Sequence, residues 1–281
     1  MNLTKRYLKK LIKIIKKSEM RILPGNIAFF MVLSIFPIIT LSGIFASMFH
    51  VSLNSILSMM SDILPGQVYN LILPYVSGNG MDIHIGFSML LGYIFASNGA
   101  HSIIVCSNTL YDIPHSNYLN RRIKALFLTI ILVVLFVFTL IVLAFGNSIL
   151  QFILSFDFFG SFGDNLYYLF LLLKWPTAII FIFFMIKLIF TVSPDKTIKS
   201  SNTTKGAFFT TISWLFSTFI YSYYVQHFSH YDIFYGSLAN IIIMMIWVYI
   251  LAYTLVVGIA INTQSYRDDS KDKKDLIADN K

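Results

Sequence analysis

Six long apolar segments recur along the chain, separated by shorter stretches that carry most of the charged residues. They cover approximately residues 27–49, 85–111, 125–146, 166–190, 206–226 and 236–262. A helix needs about 20 residues to cross the ~30 Å hydrocarbon core of a bilayer. The pattern therefore predicts an all-α, polytopic membrane protein with six transmembrane helices.

The basic residues alternate between the two sides of such a six-helix arrangement. The loops at 50–84, 147–165 and 227–235 contain no Lys or Arg, whereas the other loops and both chain ends are basic. Lys174 alone among the 21 Lys and Arg residues departs from this division. Because Lys and Arg concentrate in cytoplasmic loops, we predict that the N- and C-termini are both cytoplasmic.

The chain divides into three parts. Residues 1–22 interleave basic and aliphatic positions, which predicts a basic amphipathic helix lying on anionic lipid rather than binding nucleic acid. Residues 23–265 form the transmembrane domain, with extracytoplasmic surface helices predicted near residues 51–78. Residues 266–281 form a charged cytoplasmic tail, for which we predict loose order.

Composition excludes several classes of protein. The chain is 57% hydrophobic and 12% charged, whereas soluble domains carry about 25% charged residues. A soluble globular enzyme could not bury so much apolar surface, and disorder requires low hydrophobicity. Cys106 is the single cysteine, which excludes an internal disulfide framework and a cysteine-based zinc site.

Several short motifs occur in an order and spacing that resemble the YihY/BrkB family of bacterial inner-membrane proteins. They are IAFFMVLSIFP at 27–37, Asn108-Thr109-Leu110-Tyr111, Lys174-Trp175-Pro176, Ser193-Pro194-Asp195, Gly206-Ala207 with Trp214, and Tyr235-Gly236-Ser237-Leu238 with Trp247 and Tyr249. The resemblance covers residues 20–263 and implies an all-helical, multi-pass protein of the bacterial cytoplasmic (inner) membrane. Family members carry labels as a ribonuclease, as lipid or lipopolysaccharide transport factors and as serum-resistance factors, so the resemblance leaves the activity open.

One position departs from the family pattern. Helix six ends here with Gly258-Ile259-Ala260-Ile261-Asn262, so Ala260 stands where the family usually has a glutamate. This departure puts in question any mechanism that needs that carboxylate.

Lys174 is the clearest candidate for chemistry, because an ionisable residue inside a membrane span is costly and is a functional candidate by default. Its side chain could instead extend to the outer interface beside Trp175. Alternatively the helix could begin near Trp175, which would leave residues 166–173 at the interface. In the functional interpretation Lys174 points into a cavity and binds an anionic headgroup.

Polar side chains supply further candidates. Segment two carries a polar face, and segment five carries a stripe of hydroxyl groups at three- and four-residue spacing. Such residues serve helix packing in membranes, but a regular stripe equally suits a polar groove open to lipid. The candidate substrate-binding residues are Lys174, His101, Asn108, Ser213, Ser217, Tyr221 and Tyr235.

The residues that hydrolytic chemistry needs are sparse. Glu19 is the only glutamate, and no predicted span contains a carboxylate. The spans therefore cannot supply the two acidic side chains that a paired-carboxylate site needs. Phosphate-binding P-loop and nucleophile-elbow motifs are absent. His227, His230 and Asp232 have metal-ligand spacing, but such short spacing on a loop is common by chance. We therefore predict a protein that is not an enzyme, with no cofactor and no metal.

Three functional hypotheses follow. The first is transport or flipping of an amphipathic, anionic, lipid-linked envelope substrate. The second is a non-transporting scaffold that recruits envelope-synthesis proteins through its N-terminal helix. A membrane-bound ribonuclease is a remote third. The expected partners are membrane lipids, with anionic lipid at the N-terminal helix, and no nucleic acid.

Overall fold

The computed structural model describes residues 20, 22–34, 83–134, 163–228 and 237–279. Within these ranges the chain forms helices and no strand. The helices are α1 (Ile22–Ser34), α2 (Ile83–Tyr111), α3 (118–134), α4 (Gly163–Val192), α5 (Ser200–Phe228) and α6 (Ser237–Asp279). The prediction of an all-α fold is confirmed in this part of the chain.

The helices coincide with the predicted apolar segments. α2, α4 and α5 enclose segments two, four and five, α6 covers nearly all of segment six, and α1 and α3 contain the first parts of segments one and three. Leu90–Tyr111 and Ile242–Arg267 are long and apolar enough to cross a membrane, and Ile22–Ser34 and Pro176–Val192 are shorter apolar helices. The count of six spans and the cytoplasmic termini stay predictions. The predicted amphipathic helix at residues 1–22, apart from residues 20 and 22, and the predicted surface helices near residues 51–78 lie outside the described residues.

α2 and α3 form an antiparallel hairpin connected by residues 112–117. Far from the connection, the Tyr93 hydroxyl donates to the Leu126 carbonyl at 2.6 Å. Close to it, the rings of His101 and Tyr118 meet edge to face, with centroids 6.0 Å apart. Two alanines in the interface allow the helices to approach closely, and α4 contributes Leu188 to the same cluster. The buried members are Ala100, Ile104, Ala125 and Leu128.

α5 and α6 cross at a pair of glycines. A Cβ atom on Gly206 would overlap the carbonyl oxygen of Gly258 and the side chain of Asn262, so this backbone approach requires glycine. The Gly206 N–H donates to Asn262 Oδ1 at 2.8 Å. Further along, Trp214 Nε1 donates to the Leu251 carbonyl at 3.0 Å. The crossing is therefore held by backbone proximity and by hydrogen bonds between the two helices.

One buried cluster joins five of the helices. It includes Ile27 from α1, Cys106 from α2, Phe190 from α4, Ala207 from α5 and Leu255 from α6. All five side chains are at most 1% exposed. The core therefore lies toward the end of the bundle where α2 and α4 finish and α5 begins.

The outward faces carry large apolar side chains. Phe127, Phe216 and Phe219 are 65%, 64% and 70% exposed. Contiguous apolar surface of this kind is unfavourable in water, at about 25 cal/mol per Å², and is suited to the hydrocarbon of a bilayer.

Two helices differ from the sequence-based expectation. α4 is helical from Gly163 to Val192 with Pro176 inside it, so it begins well before Trp175. α6 continues to Asp279, where the sequence predicts a loosely ordered tail from residue 266. No Gly or Pro follows Gly258, and the tail spaces Asp and Lys four residues apart, as in Asp269 and Lys273, which favours a helix.

Candidate functional site

Two loops, residues 112–117 and 193–199, meet at one end of the helices. We refer to residues 112–124 and 193–205, together with Arg267 of α6, as the basic end, because these residues carry many more basic than acidic side chains. The acidic residues among them are Asp112 and Asp195, and the basic residues are Arg121, Arg122, Lys124, Lys196, Lys199, Lys205 and Arg267.

Asp195 holds the two loops together. Its Oδ2 accepts hydrogen bonds from the Ser116 hydroxyl at 2.8 Å, the Ser116 N–H at 3.1 Å and Asn108 Nδ2 at 2.6 Å. Its Oδ1 pairs with Lys124 Nζ at 3.3 Å, and the same ammonium donates to the Pro194 carbonyl at 2.6 Å. The Asp195 side chain is only 9% exposed, so this ion pair is shielded from water.

Opposing effects act on the pKa of Asp195. Burial raises the pKa, because a carboxylate that loses its hydration is less stable than the neutral carboxylic acid. The hydrogen bonds donated by the Ser116 side chain and backbone, by Asn108 and by Lys124 outweigh burial and hold the pKa below its usual value. Asp195 is therefore a carboxylate at neutral pH, with its acceptor capacity directed at the two loops.

Asn108 completes this connection from α2. The side chain is fully buried, and its Oδ1 accepts the Asp195 N–H at 2.8 Å while its Nδ2 donates to the Asp195 carboxylate. One residue earlier, the hydroxyls of Ser107 and Ser193 are 2.8 Å apart. Buried polar groups need hydrogen-bond partners, and here the partners are protein groups of the neighbouring loop. The structure thus gives Asn108 the geometry of a positioning residue.

The end of α6 is tied to the same region. Arg267 forms an ion pair with Asp112, which adopts a left-handed backbone conformation (φ 55°) where α2 ends. The rings of Tyr111 and Tyr266 meet edge to face at 5.7 Å, and Lys196 Nζ lies 5.9 Å from the Tyr266 ring centroid. α6 therefore contacts both loops of the basic end.

Three nitrogen-bearing side chains gather between α2 and α3. Arg122 donates to Asn98 Oδ1 at 2.6 Å and to the Ile94 carbonyl at 2.9 Å. Arg121 donates through one terminal nitrogen to the Ser116 carbonyl at 2.6 Å. The His101 ring meets Tyr118, which lies within one turn of both arginines on α3, edge to face at 6.0 Å.

The hydroxyl stripe of α5 lies on the side of the helix that faces its neighbours. Thr210 is buried in the glycine crossing, where its hydroxyl donates to the Thr254 carbonyl at 3.4 Å. Ser213, Ser217 and Tyr221 follow along the helix and are all half-buried. The Tyr221 ring stacks on Trp247 of α6, with centroids 4.7 Å apart and an interplanar angle of 18°.

The candidate residues therefore have different surroundings. Asn108 contacts Asp195, His101 faces Tyr118, and Tyr221 contacts α6. Lys174 belongs to α4 by its backbone, but its side chain lies outside the described residues, as does Tyr235. The described part of the chain contains no group of three or more His, Cys, Asp or Glu side chains placed to hold a metal ion.

The sequence did not single out Asp195, Ser116 or Arg121 as site residues. A signal was present for the first of these, since the motifs Asn108-Thr109-Leu110-Tyr111 and Ser193-Pro194-Asp195 are the two that meet in the structure. Ala260 of α6 is fully buried in the core.

Apolar helices with an exposed aromatic and aliphatic surface define the class of this molecule, a helical membrane protein. A family profile described as "Virulence factor BrkB" matches residues 11–279, and the chain belongs to that family. The ribonuclease-like protein YfkH of Bacillus subtilis (strain 168) is 26% identical over 242 residues, which cover 85% of this chain and 87% of the relative. A UPF0761 membrane protein of Haemophilus influenzae (strain 86-028NP) is 33% identical over 79 residues, or 28% of this chain and 29% of the relative. No solved structure matches the chain.

Proposed function

We propose that this protein moves an amphipathic, anionic, lipid-linked envelope substrate across the bacterial cytoplasmic membrane, which it crosses several times. The observation that carries the proposal is the half-buried hydroxyl stripe of Ser213, Ser217 and Tyr221 on α5. These groups are neither sealed in the core nor placed on the outward surface beside Phe216 and Phe219.

The stripe matches the needs of an amphipathic substrate. A polar headgroup loses its hydrogen bonds to water when it enters hydrocarbon, which costs about 2–7 kcal/mol per unpaired group. Ser213 and Tyr221 are eight residues apart, about 12 Å along the helix. Hydroxyl groups over this distance can replace water for a moving headgroup, while acyl chains remain in the lipid beside the exposed Phe216 and Phe219.

Charge at the two ends of the route supports the same function. The basic end offers an excess of cations where an anionic headgroup would enter. Lys174 lies 18 residues before the end of α4 at Val192, which is about 27 Å along a helix. A cation at that position would receive the headgroup near the opposite side of the hydrocarbon core.

The test is lipid translocation in proteoliposomes. A fluorescent, short-chain anionic lipid is followed by quenching of the probe in the outer leaflet, with wild type, a Ser213→Ala/Ser217→Ala/Tyr221→Phe variant and Lys174→Ala. Thr218→Ala is the matched control, because it removes a hydroxyl from an exposed position of the same helix. We expect the triple variant and Lys174→Ala to slow translocation at least ~10-fold and the control to match wild type. Equal rates in all four proteins would refute the route.

A scaffold role is the second candidate function, and one observation favours it. α6 continues as a helix from Arg267 to Asp279, about 18 Å beyond its candidate membrane span, with closely spaced charges of both signs. In a scaffold, deletion of residues 1–17 would abolish the cellular function while the triple variant would retain it. The name of YfkH suggests ribonuclease activity as a remote alternative, and purified protein without metal-dependent RNA cleavage would eliminate it.

A further inference from the structure

We propose that the basic end contains a binding site for a phosphate group between α2 and α3, formed by His101, Arg121 and Arg122. The site deepens the proposed function, on which it rests, by giving the anionic headgroup a defined place and chemistry. Its members come from two helices whose packing is fixed by contacts on both sides, the Tyr93 to Leu126 hydrogen bond and the Asp195 connection.

The first turns of α3 carry the two arginines within one turn of Tyr118, the residue that contacts His101. Tyr118 begins α3 and holds the His101 ring edge to face at 6.0 Å. Arg121 and Arg122 follow within one turn, and Arg122 is oriented across α2 by Asn98 and Ile94 at 2.6 and 2.9 Å. The arginine charges and the imidazole are thus preorganised by protein contacts before any ligand binds.

Unused hydrogen-bonding capacity points to a ligand. Arg121 Nε and His101 Nε2 are buried, and neither has a hydrogen-bond partner within the described part of the chain. Buried polar atoms are nearly always paired in native proteins. Arg121 spends one terminal nitrogen on the Ser116 carbonyl and keeps further donors, and a guanidinium presents donors in a planar fork that fits phosphate oxygens.

Within the described part of the chain, neither arginine of the site is paired with a carboxylate. Arg121 donates to the Ser116 carbonyl, and Arg122 donates to Asn98 and Ile94, which are all neutral groups. Asp195 is already engaged by Ser116, Asn108 and Lys124. The two guanidinium charges therefore favour an oxyanion over a neutral ligand.

The surroundings suit a phosphate that carries an acyl chain. Tyr118, Leu119 and Ile123 are 62%, 71% and 52% exposed on the same stretch of α3. An apolar surface beside a cationic site offers contacts to lipid tails as well as to the headgroup. A free phosphate would use the same nitrogen donors but would make no contact with these apolar side chains.

The test measures binding by the full-length protein in nanodiscs, without transport. Phosphatidylcholine nanodiscs with and without phosphatidic acid are compared by native mass spectrometry, and inorganic phosphate is titrated separately by calorimetry into protein in phosphatidylcholine alone. Arg122→Gln removes one charge, and Arg121→Lys keeps the charge but removes Nε–H. Lys205→Gln is the control, because it removes one charge from an exposed position of the same end.

We expect Arg121→Lys and Arg122→Gln to weaken binding at least ~10-fold, the loss typical of a charge-assisted hydrogen bond, and Lys205→Gln to change it less than ~2-fold. This pattern with phosphatidic acid alone assigns the site to a lipid headgroup, and the same pattern with inorganic phosphate assigns it to a soluble ligand. Equal weakening in all three variants, or no binding of either probe, overturns the site. Thermal unfolding of each variant identifies a misfolded protein. If Arg122→Gln is misfolded, the binding measured for Arg121→Lys, which keeps the charge, decides whether the site exists.

The site and the transport proposal can fail separately. Normal phosphate binding by a protein that translocates no lipid would refute transport and leave the site in place. If the Arg121→Lys and Arg122→Gln variants bind phosphate as wild type does and lipid translocation persists, the site is refuted and the transport proposal remains in place.

Discussion

The glycine crossing of α5 and α6 gives a sharp test of the structure. In Gly206→Ala the new Cβ would overlap the backbone carbonyl of Gly258 and the side chain of Asn262. A backbone oxygen cannot rotate away, so the helices must separate, which costs about 3 kcal/mol at the upper end of overpacking. Weakening the Gly206 to Asn262 hydrogen bond adds about 1 kcal/mol. The better helix propensity of alanine returns about 1 kcal/mol.

The net destabilisation is therefore about 3 kcal/mol, which corresponds to a fall in Tm of roughly 6–12 °C for a chain of this size. Thermal unfolding of the detergent-solubilised protein, followed by tryptophan fluorescence, measures it, and Trp214 reports from the crossing itself.

Gly25→Ala is the matched control for this experiment. Gly25 lies in α1, and in the described part of the chain no atom beyond its chain neighbours and its own helix backbone lies within 4 Å of a Cβ added there. The substitution gains helix propensity without a clash, so we expect its Tm to equal or exceed that of wild type. A Gly206→Ala protein with a Tm within about 2 °C of the control would refute the close crossing.

Two further predictions concern the Asp195 connection. Asp195→Ala should destabilise the protein by about 2–3 kcal/mol and Asn108→Ala by about 1–3 kcal/mol. The double variant should lose at least ~0.5 kcal/mol less than the sum of the two, because both substitutions break the same hydrogen bonds. Additive losses in thermal unfolding would contradict this. The folded-state pKa of Asp195 lies below its unfolded value, so its ionised form stabilises the fold above pH ~4 and this contribution is lost as pH falls through the folded-state pKa. Tm should therefore decline less between pH 5 and pH 3 in Asp195→Asn than in wild type, and equal declines would argue against the linkage.

The positions of the helices are readable from the sequence because membrane helices are specified locally. Each needs a run of apolar residues of sufficient length, and that run is visible without knowledge of its neighbours. The described helices α2, α4 and α5 enclose the predicted segments for this reason. The C-terminal tail is helical through Asp279, whereas its charge density alone predicts loose order. The four-residue spacing of Asp and Lys and the lack of Gly or Pro after Gly258 favour this helix.

The candidate site was predictable only in part. His101, Ser213, Ser217 and Tyr221 stood out as polar residues in apolar surroundings, which is a property of the sequence. Asn108 uses both the oxygen and the nitrogen of its amide in hydrogen bonds with Asp195. This pairing is a property of the fold, since the two residues are 87 positions apart. Sequence spacing could place Asn108 on a helix face but could not name the group opposite it.

By itself, the sequence determined the class of protein, the approximate positions of the described helices and the concentration of positive charge at one end, because hydropathy and charge act residue by residue. Only the tertiary structure decided which helices cross at Gly206 and Gly258 and which acid joins the two loops. It also decided which nitrogen atoms of Arg121 and His101 are buried without a partner among the described residues. Those outcomes depend on how helices dock. Inside a membrane, docking follows close packing and hydrogen bonding rather than apolar burial, and these depend on geometry that a one-dimensional pattern does not contain.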